Sequence, residues 1–313
     1  MAVDLNVGEL VAGARRGEAR AVARLISLVE DESPSLRDVS AALAPHTGRA
    51  HIVGLTGPPG VGKSTSTSAL VTALRAKERR VGVLAVDPTS PFSGGALLGD
   101  RVRMQEHATD DDVYIRSMAT RGHLGGLAGA APQALRVLDA AGCDVILVET
   151  VGVGQSEVEI AGLADTTLVL VAPGTGDGIQ AAKAGILEIG DIFVINKSDR
   201  EGANTTRREL RNIVAMRESD WKAPIVLTVA TTGEGVAEVV TEIERHREYL
   251  AGGELDQRRL ARVRREIEAM ALASLHRRMG DVTGDARLGT LAADVLAGRS
   301  DPFAAADLLV EHL

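Results

Sequence analysis

The sequence contains very little cysteine and few aromatic residues. Its 313 residues include one cysteine, one tryptophan, two tyrosines and three phenylalanines, whereas hydrophobic residues of all kinds make up 45%. The single cysteine, Cys143, cannot form an internal disulfide, which indicates a reducing compartment. Its position just before an apolar run is typical of a small core residue. The core must therefore be built mainly from Ala, Val, Leu and Ile.

Excess positive charge and long hydrophobic runs are also lacking. Lys and Arg together number 35 against 43 Asp and Glu, so the broad basic surface typical of nucleic-acid binding is not expected. Met1 to Arg20 lacks the basic start and apolar run of a signal peptide, and no run approaches the roughly 18 apolar residues of a membrane span. We predict a cytoplasmic protein without a nucleic-acid or membrane partner.

The strongest motif begins where an apolar strand pattern at residues 52–55 runs into a glycine-rich turn of the form G-x-x-x-x-G-K-S. Glycines let the backbone fold around a phosphate, and the following helix adds its positive N-terminal end. Lys63 brings a full charge to the β- and γ-phosphates, and Ser64 offers a hydroxyl to Mg²⁺. A Gly-Pro turn before an N-capped helix would explain the glycines but not this Lys-Ser pair. The predicted nucleotide-binding residues are Gly57, Pro59, Gly60, Val61, Gly62, Lys63, Ser64 and Thr65.

A second motif, Asn196-Lys197-Ser198-Asp199, follows another apolar strand pattern. The Asp199 carboxylate can accept both the ring N–H and the amino group of guanine, while the Asn196 amide meets O6; adenine offers the opposite pattern. A helix N-cap by Ser198 or Asp199 is the alternative. The position at a strand end favours a GTP site formed by Asn196, Lys197 and Asp199. A later loop adds Val229, Ala230 and Thr231, although serine is more usual where Val229 stands.

A third motif, Glu149-Thr150-Val151-Gly152, follows the strand pattern at residues 145–148. An acidic residue here can hold Mg²⁺ through water, and the N–H of Gly152 can sense the γ-phosphate. A Ras-type GTPase has glutamine directly after this glycine, whereas this chain has Val153, which cannot orient water. We predict slow intrinsic hydrolysis that rises only when another surface completes the site.

Two further carboxylates and one loop are candidates for the same site. Asp87 ends the second strand pattern, where it could bind metal or orient the attacking water, and Asp100 lies in the segment that follows. Either residue could instead be a cap or a solvated charge. The loop at residues 173–183 has the glycine content of a switch, but also that of an ordinary strand-to-helix loop.

The alternation of strand and helix patterns from His51 onward predicts a doubly wound, mostly parallel α/β sheet with ligands at the carboxyl ends of its strands. The predicted strands are residues 52–55, 81–86, 113–118, 144–149, 167–172, 192–196 and 225–229.

Three regions are expected along the chain: an N-terminal helical extension at 1–48, a P-loop domain at 49–251 and a C-terminal helical arm at 252–313. The extension is either a cap on the main domain or a partner surface, and we favour the cap. The arm carries a narrow apolar seam, which predicts dimerisation, although packing on its own domain would use the same seam. The seam residues are Leu260, Val263, Ile267 and Met270.

Together the strings GLTGPPGVGKST, VDPTSP, GDRVRM, ATRGHLGG, ETVGVGQSE, GDGIQAAK and NKSD closely resemble the MeaB/MMAA family of P-loop GTPases, older labels for which include ArgK and LAO/AO transport ATPase. The similarity runs from about Leu10 to the C-terminus. It implies a homodimeric GTPase that uses GTP, GDP and Mg²⁺, gates adenosylcobalamin loading and protects methylmalonyl-CoA mutase. Cobalamin adenosyltransferase is a second candidate partner.

The resemblance also implies roles for individual residues. Lys63 and Ser64 would serve the phosphates and Mg²⁺. Asp87, Asp100 and Glu149 would belong to the metal site and the switches. We predict that these three carboxylates and Lys63 are the catalytic residues. An additional switch, Asp177 to Lys183, would relay the nucleotide state to the client.

Two other functions remain open. A metal-insertion GTPase is one, although the seven histidines are scattered and no Cys/His cluster has ligand spacing. An ATP-using kinase or transport ATPase is the other, against which the motif from Asn196 to Asp199 argues.

Overall fold

A computed structural model of the chain describes residues 6–31, 33–88, 105–107, 109–120, 130–150, 156–174, 185–279 and 286–310. These residues form a seven-stranded parallel sheet with the strand order β3-β2-β4-β1-β5-β6-β7. The strands are β1 (His51–Thr56), β2 (Val81–Pro88), β3 (Val113–Thr120), β4 (Val145–Thr150), β5 (Thr166–Val171), β6 (Ile192–Ile195) and β7 (Ile225–Leu227).

Helices precede, connect and follow the strands, and short 3-10 turns occur at Ala44–His46 and Gln105–His107. The α-helices are α1 (Val7–Arg15), α2 (Ala19–Glu30), α3 (Leu36–Leu43), α4 (Lys63–Arg75), α5 (Ala131–Ala140), α6 (Ser156–Leu163), α7 (Ile186–Ile189), α8 (Ala203–Ala215), α9 (Val236–Leu250), α10 (Glu254–Met279), α11 (Ala286–Leu296) and α12 (Pro302–Val310).

The centre of the sheet is buried on both faces. Every residue of β1, β4 and β5 is buried, as expected for parallel strands that helices cover on both sides. Cys143, just before β4, is buried with them, and burial raises the pKa of its thiol. The predicted doubly wound α/β fold is confirmed. Strand ends differ from the prediction by one or two residues. β7, for example, ends at Leu227 rather than at residue 229, because the Val229 N–H donates to the Glu234 carbonyl within a turn.

The first three helices belong to the same core as the sheet. Val22, Leu25 and Val39, from α2 and α3, lie in one apolar cluster with residues of α5 and the neighbouring strands. The Tyr114 hydroxyl on β3 also donates to the Gly17 carbonyl at 3.0 Å. The N-terminal helices therefore cover the sheet domain as a cap.

Buried ion pairs anchor the start of α10 to the amino-terminal edge of the sheet. Asp165, which precedes β5, accepts from Arg259 at 2.9 Å and from Arg262 at 3.2 Å. Asp191, which precedes β6, accepts hydrogen bonds from both terminal nitrogens of Arg258, at 3.0 and 3.1 Å. Burial acts to raise the pKa of Asp165, but the hydrogen bond and charge of Arg259, together with the charge of Arg262, outweigh it and lower that pKa. Asp165 is therefore held as a buried carboxylate.

A chain of hydrogen bonds runs beside these ion pairs. The Thr166 hydroxyl lies 2.8 Å from His51 Nε2 and 2.8 Å from His246 Nδ1. Burial lowers the pKa of His51 from 6.5 to about 4, although Asp165 acts in the opposite direction. Burial also lowers the pKa of His246. Both imidazoles therefore stay neutral near pH 7.

The chain divides into two compact units, Met1–Arg262 and Val263–Leu313, with the boundary inside α10. Within the second unit, Arg287 on α11 donates to the Leu309 carbonyl on α12. No helix in the described parts of the chain combines the length and apolar character needed to cross a membrane.

The buried His51 predicts a loss of stability in mild acid. Its pKa is about 4 in the folded chain and near 6.5 when unfolded, so the unfolded chain binds the proton first as the pH falls. The contribution of His51 to the free energy of unfolding has its full value above pH ~6.5. It falls by up to about 3 kcal/mol as the pH is lowered to ~4. Denaturant unfolding of the wild type and of His51→Gln at pH ~7 and pH ~5 checks this.

The variant should lose less stability than the wild type between these two pH values. Any loss that it retains is attributed in part to His246, whose pKa is lowered in the same direction. An equal loss in both proteins would contradict the assignment to His51.

Candidate functional site

The phosphate loop connects the end of β1 to the start of α4. Gly57, Gly60 and Gly62 have φ angles of 141°, 79° and 95°, in the left-handed region that side chains disfavour. A Cβ on Gly57 would lie 2.1 Å from the Leu170 carbonyl oxygen, and one on Gly62 would lie 2.5 Å from the Asn196 side-chain nitrogen. At Gly60 a Cβ would meet open space. Two glycines thus fit the loop against its neighbours, and the third lies on its open side.

Lys63 is the first residue of α4, and its ammonium group folds back over the loop. Its Nζ donates to the Gly57 carbonyl at 2.6 Å, and the residue is 8% exposed. Ser64 and Thr65 follow in the first helical turn and are partly exposed. A hydroxyl, a cation and a helix N-terminus therefore lie together beside the loop, which is the arrangement the motif predicted. The contacts of individual residues with nucleotide stay predictions.

Glu149 lies near the carboxyl end of β4, next to β1, and its residue is fully buried. Its Oε2 accepts a hydrogen bond of 2.5 Å from the hydroxyl of Thr67 on α4. The Thr67 hydroxyl also lies 3.1 Å from the Lys63 carbonyl oxygen. One threonine therefore links the predicted metal-site carboxylate to the first turn of the phosphate-loop helix.

Asn196 bridges the phosphate loop and the predicted base-binding loop. Its Nδ2 donates to the Val61 carbonyl at 2.8 Å, and its Oδ1 accepts from the Ala230 N–H at 3.0 Å and from the Thr228 hydroxyl at 3.3 Å. The residue is 2% exposed. The spacing of the motif predicted a contact with guanine, which stays a prediction; the structure adds that this amide fixes two loops to each other.

Lys197 and Asp199 continue from Asn196 towards the surface. Lys197 has φ 58°, a conformation that costs a residue with a side chain about 1 to 2 kcal/mol, and its Nζ donates to the Gly60 carbonyl at 2.6 Å. Such backbone strain is concentrated at functional sites. Asp199 is exposed, so its carboxylate is accessible to a base.

The loop after β7 is ordered by its own backbone. The Val229 side chain is buried, its N–H donates to Glu234, and its carbonyl accepts from Gly233. Ala230 is tied to Asn196, whereas Thr231 is exposed. The valine in place of a serine therefore packs inward and leaves the backbone turn intact.

Several predicted residues lie outside the described residues. They are Asp100, Gly152, Val153, Asp177 and Lys183. Asp87 lies on β2, paired with Ala119 of β3, but its side chain is not described. The roles of these residues in the site stay predictions.

The oxygen donors that are described suit Mg²⁺, which prefers hydroxyl, carboxylate, phosphate and water oxygens. Ser64 supplies a hydroxyl at the start of α4, and Glu149 supplies a buried carboxylate beside the same loop. Among the described residues, no group of three or more His, Cys, Asp or Glu side chains is arranged to hold a metal ion. The Ser64 hydroxyl and the Glu149 carboxylate are therefore donors of the kind that Mg²⁺ accepts.

Sequence reasoning missed Thr67 and a small cluster further along α4. Ser68 donates to Glu106 at 2.5 Å and lies 3.1 Å from His107 Nε2, which ties the 3-10 turn before β3 to the phosphate-loop helix. The available signal was the run of hydroxyl residues from Ser64 to Ser68 on a helix whose later inward positions are apolar.

Comparisons with known proteins identify a family for this chain. The family model described as "Methylmalonyl Co-A mutase-associated GTPase MeaB" matches residues 22–283. The chain is 47% identical to "Putative GTPase PH0274" of Pyrococcus horikoshii over 98% of both chains. It is 44% identical to "Probable GTPase Mb1533" of Mycobacterium bovis, over 82% of this chain and 80% of that one. A crystal structure of LAO/AO transport system kinase aligns over 100% of this chain and 99% of the other, at 25% identity and a TM-score of 0.74.

The exposed Asp199 predicts a switch in base preference. Asp199→Asn replaces an acceptor with a group that also donates, so guanine loses its partner while xanthine gains one. Affinity for GDP should fall at least about 100-fold and that for xanthosine diphosphate should rise. Competition titrations against a fluorescent GDP analogue, with ATP included, measure both.

Glu201→Gln is the matched control, because it removes an exposed negative charge two residues away. It should bind GDP as the wild type does. Unchanged base preference in Asp199→Asn, or ATP competing with the wild type at concentrations comparable to GTP, would contradict the guanine assignment.

Proposed function

This chain belongs to the MeaB family of methylmalonyl-CoA mutase-associated GTPases, and we propose that it couples GTP hydrolysis to adenosylcobalamin loading and protection of methylmalonyl-CoA mutase. GTP hydrolysis itself follows from the family. The observation that carries the guanine part of the proposal is the Asn196 bridge, which holds the base-binding loop to the phosphate loop. Separately mobile loops would bind base and phosphate less selectively.

In the proposed reaction, water attacks the γ-phosphorus of GTP, the bond from phosphorus to the β–γ bridging oxygen breaks, and GDP and inorganic phosphate leave. Catalysis of this reaction is mostly positioning and charge stabilisation. Lys63 supplies a positive charge beside the loop, and the N-terminus of α4 adds its dipole. Lys197 holds the outer side of the loop at the Gly60 carbonyl.

Mg²⁺ supplies charge neutralisation at the β- and γ-phosphates when it is bound. Ser64 and Glu149 would hold it, with Asp87 and Asp100 as further proposed ligands or water-orienting groups. The Glu149 carboxylate is already fixed by Thr67, which favours a defined rather than a mobile ligand.

The hydrolysis step is proposed to be slow in the isolated protein, because Val153 cannot orient water where Ras-type GTPases have glutamine. A slow step suits a timer, whose bound nucleotide reports a state to a client. The N–H of Gly152 is the proposed sensor of the γ-phosphate, and the stretch from Asp177 to Lys183 is the proposed switch that relays the nucleotide state to the client. We also propose a cytoplasmic location for this chain and cobalamin adenosyltransferase as a further partner.

A nucleotide-dependent complex with the mutase is the central prediction. Purified chain should bind methylmalonyl-CoA mutase differently with GDP and with a non-hydrolysable GTP analogue, because loss of the γ-phosphate releases switch segments. Pull-down measures binding, and single-turnover hydrolysis with and without mutase measures the rate. The intrinsic rate should be well below about 10 s⁻¹, a median for enzymes, and should rise with mutase.

Asp199→Asn is a sharp control for that experiment. With xanthosine nucleotides it should restore the pattern of binding that guanine nucleotides give in the wild type. If the chain binds the mutase in no nucleotide state, the mutase is not its client. If the chain instead releases metal to an apo-enzyme, the metal-insertion alternative is supported.

A homodimer is also proposed, from the exposed apolar side chains of α10. Leu260, Ile267 and Met270 are 52%, 62% and 46% exposed, and Leu275 is also exposed. Several large apolar side chains at helical spacing on an exposed face mark an association surface.

The predicted effect of Ile267→Glu is loss of the dimer, because a charge would have to be buried in an apolar seam. Light scattering should give a dimer mass for the wild type and a monomer mass for the variant. Glu268→Gln, one position along the helix, is the control and should stay dimeric. A monomeric wild type would exclude this arm as a dimer interface.

A further inference from the structure

Thr67 occupies a position on α4 that packing alone would give to an apolar residue. Leu70, Val71 and Leu74 continue the same inward face and are buried in the core, and Thr67 itself is fully buried. A buried hydroxyl costs free energy unless it finds a hydrogen-bond partner. The partner here is the Glu149 carboxylate on β4, so the hydroxyl has a use beyond filling space.

The geometry makes this contact a connection between two parts of the site. The Thr67 hydroxyl is 2.5 Å from Glu149 Oε2 and 3.1 Å from the Lys63 carbonyl, one helical turn earlier. The carboxylate end of β4 is thereby tied to the turn that carries the phosphate-binding lysine. Threonine is stiff at χ1, and a buried side chain has little room to choose another rotamer, so the link is well defined.

We infer that Thr67 is a positioning residue, which holds the Glu149 carboxylate in the orientation that Mg²⁺ binding requires. The inference rests on the proposed function, because it assigns Glu149 to the metal. In metal sites of other proteins, removing a group that orients a metal ligand lowers the metal affinity roughly 10- to 100-fold. Thr67 therefore tunes the response to Mg²⁺ without touching nucleotide or metal.

The test is the Mg²⁺ dependence of GDP release. Thr67→Val removes the hydroxyl at nearly constant volume, and Thr67→Ser keeps it. Dissociation of a fluorescent GDP analogue is followed in EDTA and over a range of Mg²⁺ concentrations. Thr67→Val should require about 10-fold more Mg²⁺ for half-maximal slowing of release, with EDTA rates unchanged, and Thr67→Ser should behave as the wild type.

Thr72→Val is the matched control on the same helix. The Thr72 hydroxyl donates to the Ser68 carbonyl at 3.2 Å, again one turn earlier, and lies 3.5 Å from His107 Nε2 rather than beside a carboxylate. This variant should leave the Mg²⁺ curve in place. Thermal unfolding of all variants separates structural loss from positioning, and Thr67→Ala replaces Thr67→Val if the latter does not fold.

Two failures can be told apart. If Thr67→Val lowers the unfolding midpoint but leaves the Mg²⁺ curve unchanged, or if Thr67→Ser shifts the curve as far as Thr67→Val does, Thr67 is structural and the inference is overturned. If GDP does not bind the wild-type chain, or its release is insensitive to Mg²⁺, the proposed function and the inference fall together.

Discussion

One amide side chain, that of Asn196, sets the relation between the two loops of the site. It donates to the Val61 carbonyl in one loop and accepts from the Ala230 N–H in the other, and it is almost completely buried. A hydrogen bond of this kind contributes little net free energy, but leaving its partners buried and unpaired costs more. The Asn196 amide therefore joins the two loops directly, and joint recognition of base and phosphate is the use that we propose for this link.

The strand order explains why such coupling is available. β1 lies between β4 and β5, with β6 next to β5, so the ends of strands far apart in sequence meet at one edge. The phosphate loop follows β1, Glu149 lies near the end of β4, and Asn196 follows β6. In doubly wound folds, ligands bind where neighbouring connections leave in opposite directions, outside the carboxyl ends of the strands. The site is thus a product of topology as much as of motif.

Sequence alone was sufficient for the fold class and for where the motifs would lie, because strand alternation and glycine-lysine spacing are local patterns. It was insufficient for the contacts between them. No local sequence pattern predicts that Asn196 contacts Val61 or that Thr67 contacts Glu149, because the residues of each pair come together only in the folded sheet. The early end of β7 has the same origin, in a turn closed by Glu234. The predicted roles of Asp100 and Asp177 depend on segments outside the described residues.

The ion pairs at the start of α10 bear on how this protein can be divided or recombined. Arg259 and Arg262 neutralise Asp165, a carboxylate with no exposed surface, although these arginines lie beyond the glycine pair at residues 252–253 that marks a break in the sequence. A fragment that ends at residues 252–253 would lack both arginines and leave the buried Asp165 carboxylate unpaired. Removing the partners of a buried charge strongly destabilises a fold. A truncated domain that keeps Asp165 paired with both arginines therefore has to extend to Arg262.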